Sequence, residues 1–392
     1  MNNMFKKFLV AFLVLIFLSE ITSYTLGKLK IINQGVSEHV TAIGDESIGY
    51  WHPKNIKFKY QNKACYSPSI VYFNNIGARG KENVYLKKTK PRIALIGGEE
   101  IENIEISEGS DFASLLREKI KDFEIINFSA SWMGLGEQIE VYKNLVKKYD
   151  VDYVFLFVSE NDIHKNNEKT FIENHHIEFP IRYKIMDGKV LKVPRNKEYF
   201  KFYNSFFIKI RRGKLALYVK NYSNTYKLYF YLKSYKNLKS KNRKGEKVNT
   251  KEALNYIKKH RMPDNEWNKR FEENKIIYSF LINKFLQELK QDKVKYFTFL
   301  NINKPYLFKS ENDNIGEKIA ILLEERERKS FFFLKEVWKN KNSFDPLKSS
   351  TVYLKKENLY KEPWLGLSCS GSYNLIGNKF MSDYISDIFN KN

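Results

Sequence analysis

Three short segments hold the side chains able to do chemistry. Ile93-Ala94-Leu95-Ile96 is an apolar run that ends in Gly97-Gly98-Glu99, so a carboxylate stands where the chain leaves a strand. Val158-Ser159-Glu160-Asn161-Asp162 ends a second apolar run with an amide donor and an acid. Ser370-Gly371-Ser372-Tyr373-Asn374, followed by Leu375-Ile376-Gly377-Asn378, puts two hydroxyls ahead of the last helix. An asparagine amide beside a glycine N–H is the donor set that stabilises an oxyanion in acyl transfer. Such a site also needs a nucleophile activated by a base. Glu99 fills the nucleophile role poorly, because attack by a carboxylate yields an anhydride. Ser370 and Ser372 have no basic form near neutral pH. Asn161-Asp162 also reads as a plain strand-end turn and helix cap. His164 and His175-His176 are structural or solvated in the simplest reading. Glu99, Glu100, Glu102, Glu105 and Glu108 crowd one loop with Asp162 close by. They read either as a cation site or, more simply, as a solvated acidic loop, since calcium and magnesium loops space their ligands more tightly.

The elements that position these residues follow from periodicity. Arg92–Ile96, Phe123–Phe128 and Val151–Val158 read as strands, apolar on both faces. Ser110–Ile120 and Gly136–Lys148 read as helices between them. Strands of this kind alternating with helices predict a parallel sheet covered on both sides. The pattern breaks after Asp162, and residues 163–260 read as an insertion. The stretch from Arg195 to Lys247 is dense in Lys, Arg, Tyr and Phe, with Glu198 and Glu246 almost its only acids. Its aromatics have helical spacing, as in basic amphipathic helices that lie on anionic membranes. Aromatics packed on the main domain beneath solvated lysines fit equally well, and single-stranded nucleic acid fits least. The alternation resumes at Trp267 with a long helix and a strand, Val294–Leu300. Ile315–Lys339 and Leu375–Phe389 are expected to be helical.

At the N-terminus, Lys6 and Lys7 precede an apolar run from Phe8 to Leu18, closed by Glu20. This is the pattern of a secretory signal, with no small-x-small cleavage site after it. An uncleaved signal-anchor is the expectation, although the run is short against the roughly 20 residues of a full span. The positive flank then stays cytoplasmic and the bulk of the chain is extracytoplasmic, periplasmic or at the cell surface. The organisation expected is residues 1–24 as signal-anchor, 25–90 as irregular structure with short strands, and 91–392 as an α/β domain interrupted at 163–260.

The net charge is +23, which favours acidic partners. General enrichment in Lys, Asn, Ile, Phe and Tyr explains it more simply. Cys65 and Cys369 form no C-x-x-C pair, and no histidine lies at zinc spacing from either. A single bridge and two buried thiols both fit. No cofactor and no resident metal are expected.

Taken together, the segments resemble the SGNH, or GDSL-type, hydrolases. The family's first block is a strand followed by Gly-Asp-Ser; Gly97 matches its glycine, Gly98 stands for the aspartate and Glu99 for the nucleophile. The register runs without a gap to Phe112, Leu115 and Leu116. Asn127 through Gln138 is similar to the second block, whose oxyanion glycine falls on Trp132 or Gly134. Asn161-Asp162 matches the third block intact. In the fourth, Asn374, Gly377 and Asn378 match, while Ser370 and Ser372 occupy the Asp and His positions. Asn74-x-x-Gly77-x-Arg79, and an apolar run closed by Glu20, resemble the flanks of membrane-anchored members. The resemblance implies a three-layer α/β/α, flavodoxin-like fold with a central, mostly parallel sheet, here carrying a basic helical insertion. It implies a catalytic set of Glu99, Gly134, Asn161, Ser370 and Ser372 in which Asn161 is kept in either register and the oxyanion glycine only if it falls on Gly134 rather than Trp132. The expectation is a protein that has lost catalysis and binds or scaffolds during envelope glycan or lipid modification. An active carbohydrate esterase or O-acyltransferase with a changed residue set is the alternative. Expected partners are the membrane through the N-terminal segment, an anionic lipid or envelope glycan, and a membrane protein; nucleic acid is not expected.

Overall fold

The computed structural model describes residues 3–28, 43–60, 69–168, 181–194, 223–226, 264–301, 318–319, 321–323, 331–333 and 375–391. The chain opens with helix α1 (Asn3–Lys28). Within it, Lys7–Thr25 is long and apolar enough to cross a membrane. Four short strands follow: β1 (Ile43–Asp45) and β2 (Gly49–Trp51) pair antiparallel, as do β3 (Ile56–Tyr60) and β4 (Ser69–Phe73). The α/β core comprises β5 (Arg92–Ile96), α2 (Glu99–Glu102), α3 (Phe112–Lys119), β6 (Glu124–Asn127), α4 (Leu135–Asn144) and β7 (Tyr153–Ser159). A hairpin, β8 (Tyr183–Met186) and β9 (Lys189–Lys192), comes next, then α5 (Asp264–Gln291), β10 (Lys295–Asn301), β11 (Phe331–Phe333) and α6 (Leu375–Lys391).

The central sheet runs β11-β10-β7-β5-β6, and every pair in it is parallel. The expected parallel sheet with helices on both faces is therefore present. Alternate residues divide between the faces. Ile93, Leu95, Phe155, Phe157 and Phe299 pack under α3 and α6, with Phe112, Leu116, Met381 and Ile385. Ala94, Ile96, Val154, Leu156 and Leu300 pack under α4 and α5, with Ile139, Tyr142, Tyr278 and Phe285. Burying each such side chain contributes about 1.5–3 kcal/mol.

The chain enters on one side of the first strand, crosses to β6, then jumps back over β5 to β7. That reversal between β5 and β7 is the switch point, the place where open α/β sheets set a ligand crevice outside the carboxyl ends of their strands. The opposite end of the sheet is closed. Buried Arg92 donates to Glu124 Oε2 (2.6 Å) and to the Tyr85 and Tyr149 carbonyls (2.6 Å each), while its own N–H goes to Asp152 Oδ2 (2.8 Å).

Local chemistry sets the boundaries. Asp111 caps α3, accepting from Ser114 N–H at 3.2 Å, so this helix begins at Phe112 rather than Ser110. The helix expected over Gly136–Lys148 divides into α4 and a 3₁₀ turn, Val146–Tyr149. Residues 181–194, within the segment read as an insertion but ahead of the stretch with helical spacing, form the β8–β9 hairpin. Asp187 (φ 51°) and Gly188 (φ 71°) make its turn, the pairing that matches strand twist in a two-residue connection. Within the helix expected over Ile315–Lys339, Phe331–Phe333 instead extends the sheet by pairing with Thr298–Leu300, a setting that suits consecutive aromatics. Most of the basic stretch from Arg195 to Lys247, like Cys65 and Cys369, lies outside the described residues.

Candidate functional site

The crevice at the switch point is built from three loops. The first leaves β5. Its Gly97 is needed there, since a Cβ would stand 2.9 Å from Phe157 Cβ and 3.1 Å from Ile101 Cγ1. Glu99 follows as the first residue of α2, half-buried. The second loop leaves β6 and passes Ser131, Trp132 and Met133 to Gly134, which caps α4. The third leaves β7 as a 3₁₀ turn, Glu160–His164, and continues to Lys165.

These loops are tied together by charge. Asp162 accepts from Ser159 N–H through Oδ2 (2.8 Å), which is the strand-end turn read from the sequence. Its Oδ1 meets Lys165 Nζ at 2.8 Å. The same ammonium donates to the Met133 carbonyl at 3.2 Å, joining the second and third loops. Burial alone would push the Lys165 ammonium down. The negative charges of Asp162 and Glu100, the hydrogen bond to Asp162 and the charge of Glu99 outweigh it and hold the group above the ordinary lysine value. Lys165 is thus the cation into whose field the first loop's acids project.

Behind this layer lies a second pair. Glu102 Oε1 meets His52 Nε2 at 3.0 Å, and both side chains are fully buried. Glu102 Oε2 accepts from Ser131 N–H (2.5 Å) and from the Ser131 hydroxyl. Burial pushes the Glu102 carboxyl up, but the His52 charge, the His52 hydrogen bond and the Ser131 bonds leave it below the ordinary glutamate value. His52 Nδ1 faces the Gly77 carbonyl at 3.1 Å, and Phe73 stacks on the ring at 4.0 Å. The pair therefore ties the small N-terminal strands to the first and second loops. Tyr50 reinforces this by donating to the Ser131 carbonyl.

The acidic loop is consequently not solvated. Glu100 and Glu102 are buried, and Glu108 pairs with buried Arg79 at 2.5 Å. Among the described residues, no group of three or more His, Cys, Asp or Glu could hold a metal ion. His164 carries no charge at neutral pH, because burial and the nearby Lys165 and Arg270 push its imidazole down to about 4.

The sequence-derived set is distributed as follows. Glu99 and Asn161 lie in loops leaving the neighbouring strands β5 and β7, on either side of the switch point. Gly134 sits at the base of α4. Space there is so tight that a Cβ would lie 2.4 Å from Asn166 Oδ1 and 2.9 Å from Lys165 Cβ. Trp132, the other candidate for the oxyanion position, has φ 70°, a left-handed conformation costly for a bulky residue, and is exposed. Ser370 and Ser372 lie outside the described residues. Asn378, the last residue matched to block four, is buried and donates to Asn103 Oδ1 at 2.7 Å and to the Ser110 carbonyl at 3.1 Å. Asn103 closes α2 four residues after Glu99, so the amino end of α6 is docked on the loop that carries Glu99.

Sequence reasoning overlooked Lys165 and the His52–Glu102–Ser131 cluster. Lys165 had a usable signal, its i,i+3 spacing from Asp162. His52 and Glu102 are 50 positions apart and carried none.

No known family model matches this chain, and no curated protein matches it.

Proposed function

We propose that this chain is a membrane-anchored, non-catalytic protein of the SGNH hydrolase type, whose switch-point crevice binds a ligand without turning it over. One observation carries the reading. Glu99 opens α2 where a nucleophilic serine would stand, and the charged groups around it are committed to one another: Asp162 to Lys165, Glu102 to His52 and Ser131. A carboxylate nucleophile there would form an anhydride, and Lys165 is held protonated, the wrong form for a general base. The strand reversal between β5 and β7, and the docking of Asn378 on the α2 loop, support bringing the four blocks into one site.

Among the described residues, the charges of Glu99, Glu100 and Asp162 gather around the Lys165 ammonium. A net negative crevice favours a hydroxyl-rich neutral ligand, such as an envelope glycan, over an anionic lipid headgroup. The resemblance supplies the context, modification of envelope polysaccharides, with the N-terminal helix as the anchor and a membrane protein as the partner class. The positive flank at Lys6 and Lys7 supports an extracytoplasmic bulk.

The test is hydrolysis of p-nitrophenyl acetate by the purified full chain. The wild type is expected to match the buffer rate, and Glu99→Ser combined with Ser370→Asp and Ser372→His is expected to gain turnover. Wild-type turnover that disappears in Glu99→Ala would overturn this reading in favour of an active esterase or acyltransferase.

A further inference from the structure

The N-terminal helix α1 is exposed along nearly its whole described length, as a helix surrounded by lipid would be. Ser19, Glu20 and Ser23 interrupt this: Ser23 is buried, and Ser19 and Glu20 are half-buried. Spaced i, i+1 and i+4, they lie together on one side of the helix, past the apolar run from Phe8 to Leu18.

Ser19 and Glu20 have partners about two hundred positions away. Glu20 Oε2 accepts from the Asn224 N–H at 2.7 Å, and Oε1 accepts from the Thr225 N–H at 3.2 Å and from the Ser223 hydroxyl. Ser19 Oγ and Thr225 Oγ1 share a hydrogen bond of 2.8 Å. Ser223 Oγ in turn accepts from the Tyr226 N–H at 3.1 Å, opening the helical turn at 224–226. The Glu20 carboxylate thus collects two backbone N–H groups and a hydroxyl, all from one short segment.

Depth gives this contact its meaning. A helix rises about 1.5 Å per residue, so a hydrocarbon layer of roughly 30 Å takes about 20 residues. The span Lys7–Thr25 ends five positions beyond Glu20. Glu20 then lies roughly 7.5 Å inside the outer boundary. A carboxylate at that depth needs hydrogen-bond partners, and so do backbone N–H groups with no water in reach.

We propose that residues 223–226 are inserted into the outer leaflet of the membrane, held against α1 by Glu20 and Ser19. The domain is then fixed to the bilayer at two places rather than hung from a single helix. This rests on α1 spanning the membrane, and it does not depend on the crevice being non-catalytic.

The experiment uses the full chain in native membranes, with Cys65→Ser and Cys369→Ser as background. Thr225→Cys is treated with a membrane-impermeant maleimide, and Asp187→Cys, at the exposed tip of the hairpin, serves as reference. Thr225→Cys is expected to label at least tenfold more slowly than Asp187→Cys, and adding Glu20→Ala is expected to remove most of that protection. Ser19→Cys with Thr225→Cys is expected to form a disulfide under mild oxidation. Labelling of Thr225→Cys as fast as the reference, or protection unchanged by Glu20→Ala, would overturn the proposal while leaving the anchor intact. Release of the wild-type chain by alkaline carbonate would overturn both.

Discussion

Replacing Glu102 tests whether the crevice is held together by an ionised, buried carboxylate. Leucine has similar bulk but accepts nothing, so Glu102→Leu leaves buried His52 and the part-buried Ser131 N–H and hydroxyl without their acceptor. Breaking a buried pair by removing one partner costs about 3–5 kcal/mol. At the usual unfolding entropy per residue, a domain of roughly 300 residues then loses about 5–8 °C in Tm. Glu102→Gln separates charge from hydrogen bonding. Its oxygen can still accept from Ser131 and its nitrogen can donate to a neutral His52, so the loss should be about 1 kcal/mol, the worth of one ordinary hydrogen bond. The pH dependence has a definite sign. The folded Glu102 carboxyl lies below its ordinary value of 4.5. Its stabilisation is therefore present above 4.5 and is lost as pH falls through the lower, folded value. The assay is thermal unfolding of the full chain in detergent micelles, followed by circular dichroism from pH 3 to pH 8. The gap between wild type and Glu102→Leu should be constant at neutral pH and shrink on acidification. A gap below about 2 °C at pH 7, or one that does not shrink in acid, would refute an ionised Glu102 paired with His52.

Two further outcomes follow from the same geometry. Gly134→Ala drives a methyl group into Asn166 and Lys165 at the foot of α4, and should cost about 1–3 kcal/mol in thermal unfolding. Lys165→Met strands the Asp162 carboxylate and should cost about 2–3 kcal/mol at pH 7, read by the same method. Because the folded Lys165 ammonium lies above its ordinary value of 10.5, that difference should hold up to about pH 10 and shrink only as pH rises through the folded value.

How much was legible in the sequence depended on whether each signal was local. β5 and β7 are nearly continuous apolar runs, β10 is aromatic-rich, and α5 carries a long stripe through Phe271, Tyr278 and Phe285, so all showed in the pattern. The strand order did not, because sequence alternation implies a parallel sheet without saying where the chain reverses. The β8–β9 hairpin had a local signal in Asp187-Gly188, which the reading of 163–260 as an insertion without motifs left unused. β11 is three phenylalanines whose strand conformation comes from pairing with β10, a non-local contact. At the site, Glu99 was found because it ends an apolar strand. Its acidic neighbours were misread as a solvated loop because their partners, His52 and Arg79, come from the N-terminal strands and the turn that follows them.

The central claim is that the four blocks form one altered site. Proximity between residues 99 and 372 tests it most directly. In the full chain with Cys65→Ser and Cys369→Ser, Glu99→Cys and Ser372→Cys should be joined by a thiol cross-linker spanning about 5 Å. The product should form at least tenfold faster than with Asp187→Cys in place of Ser372→Cys. Cross-linking no faster than that reference would contradict the account.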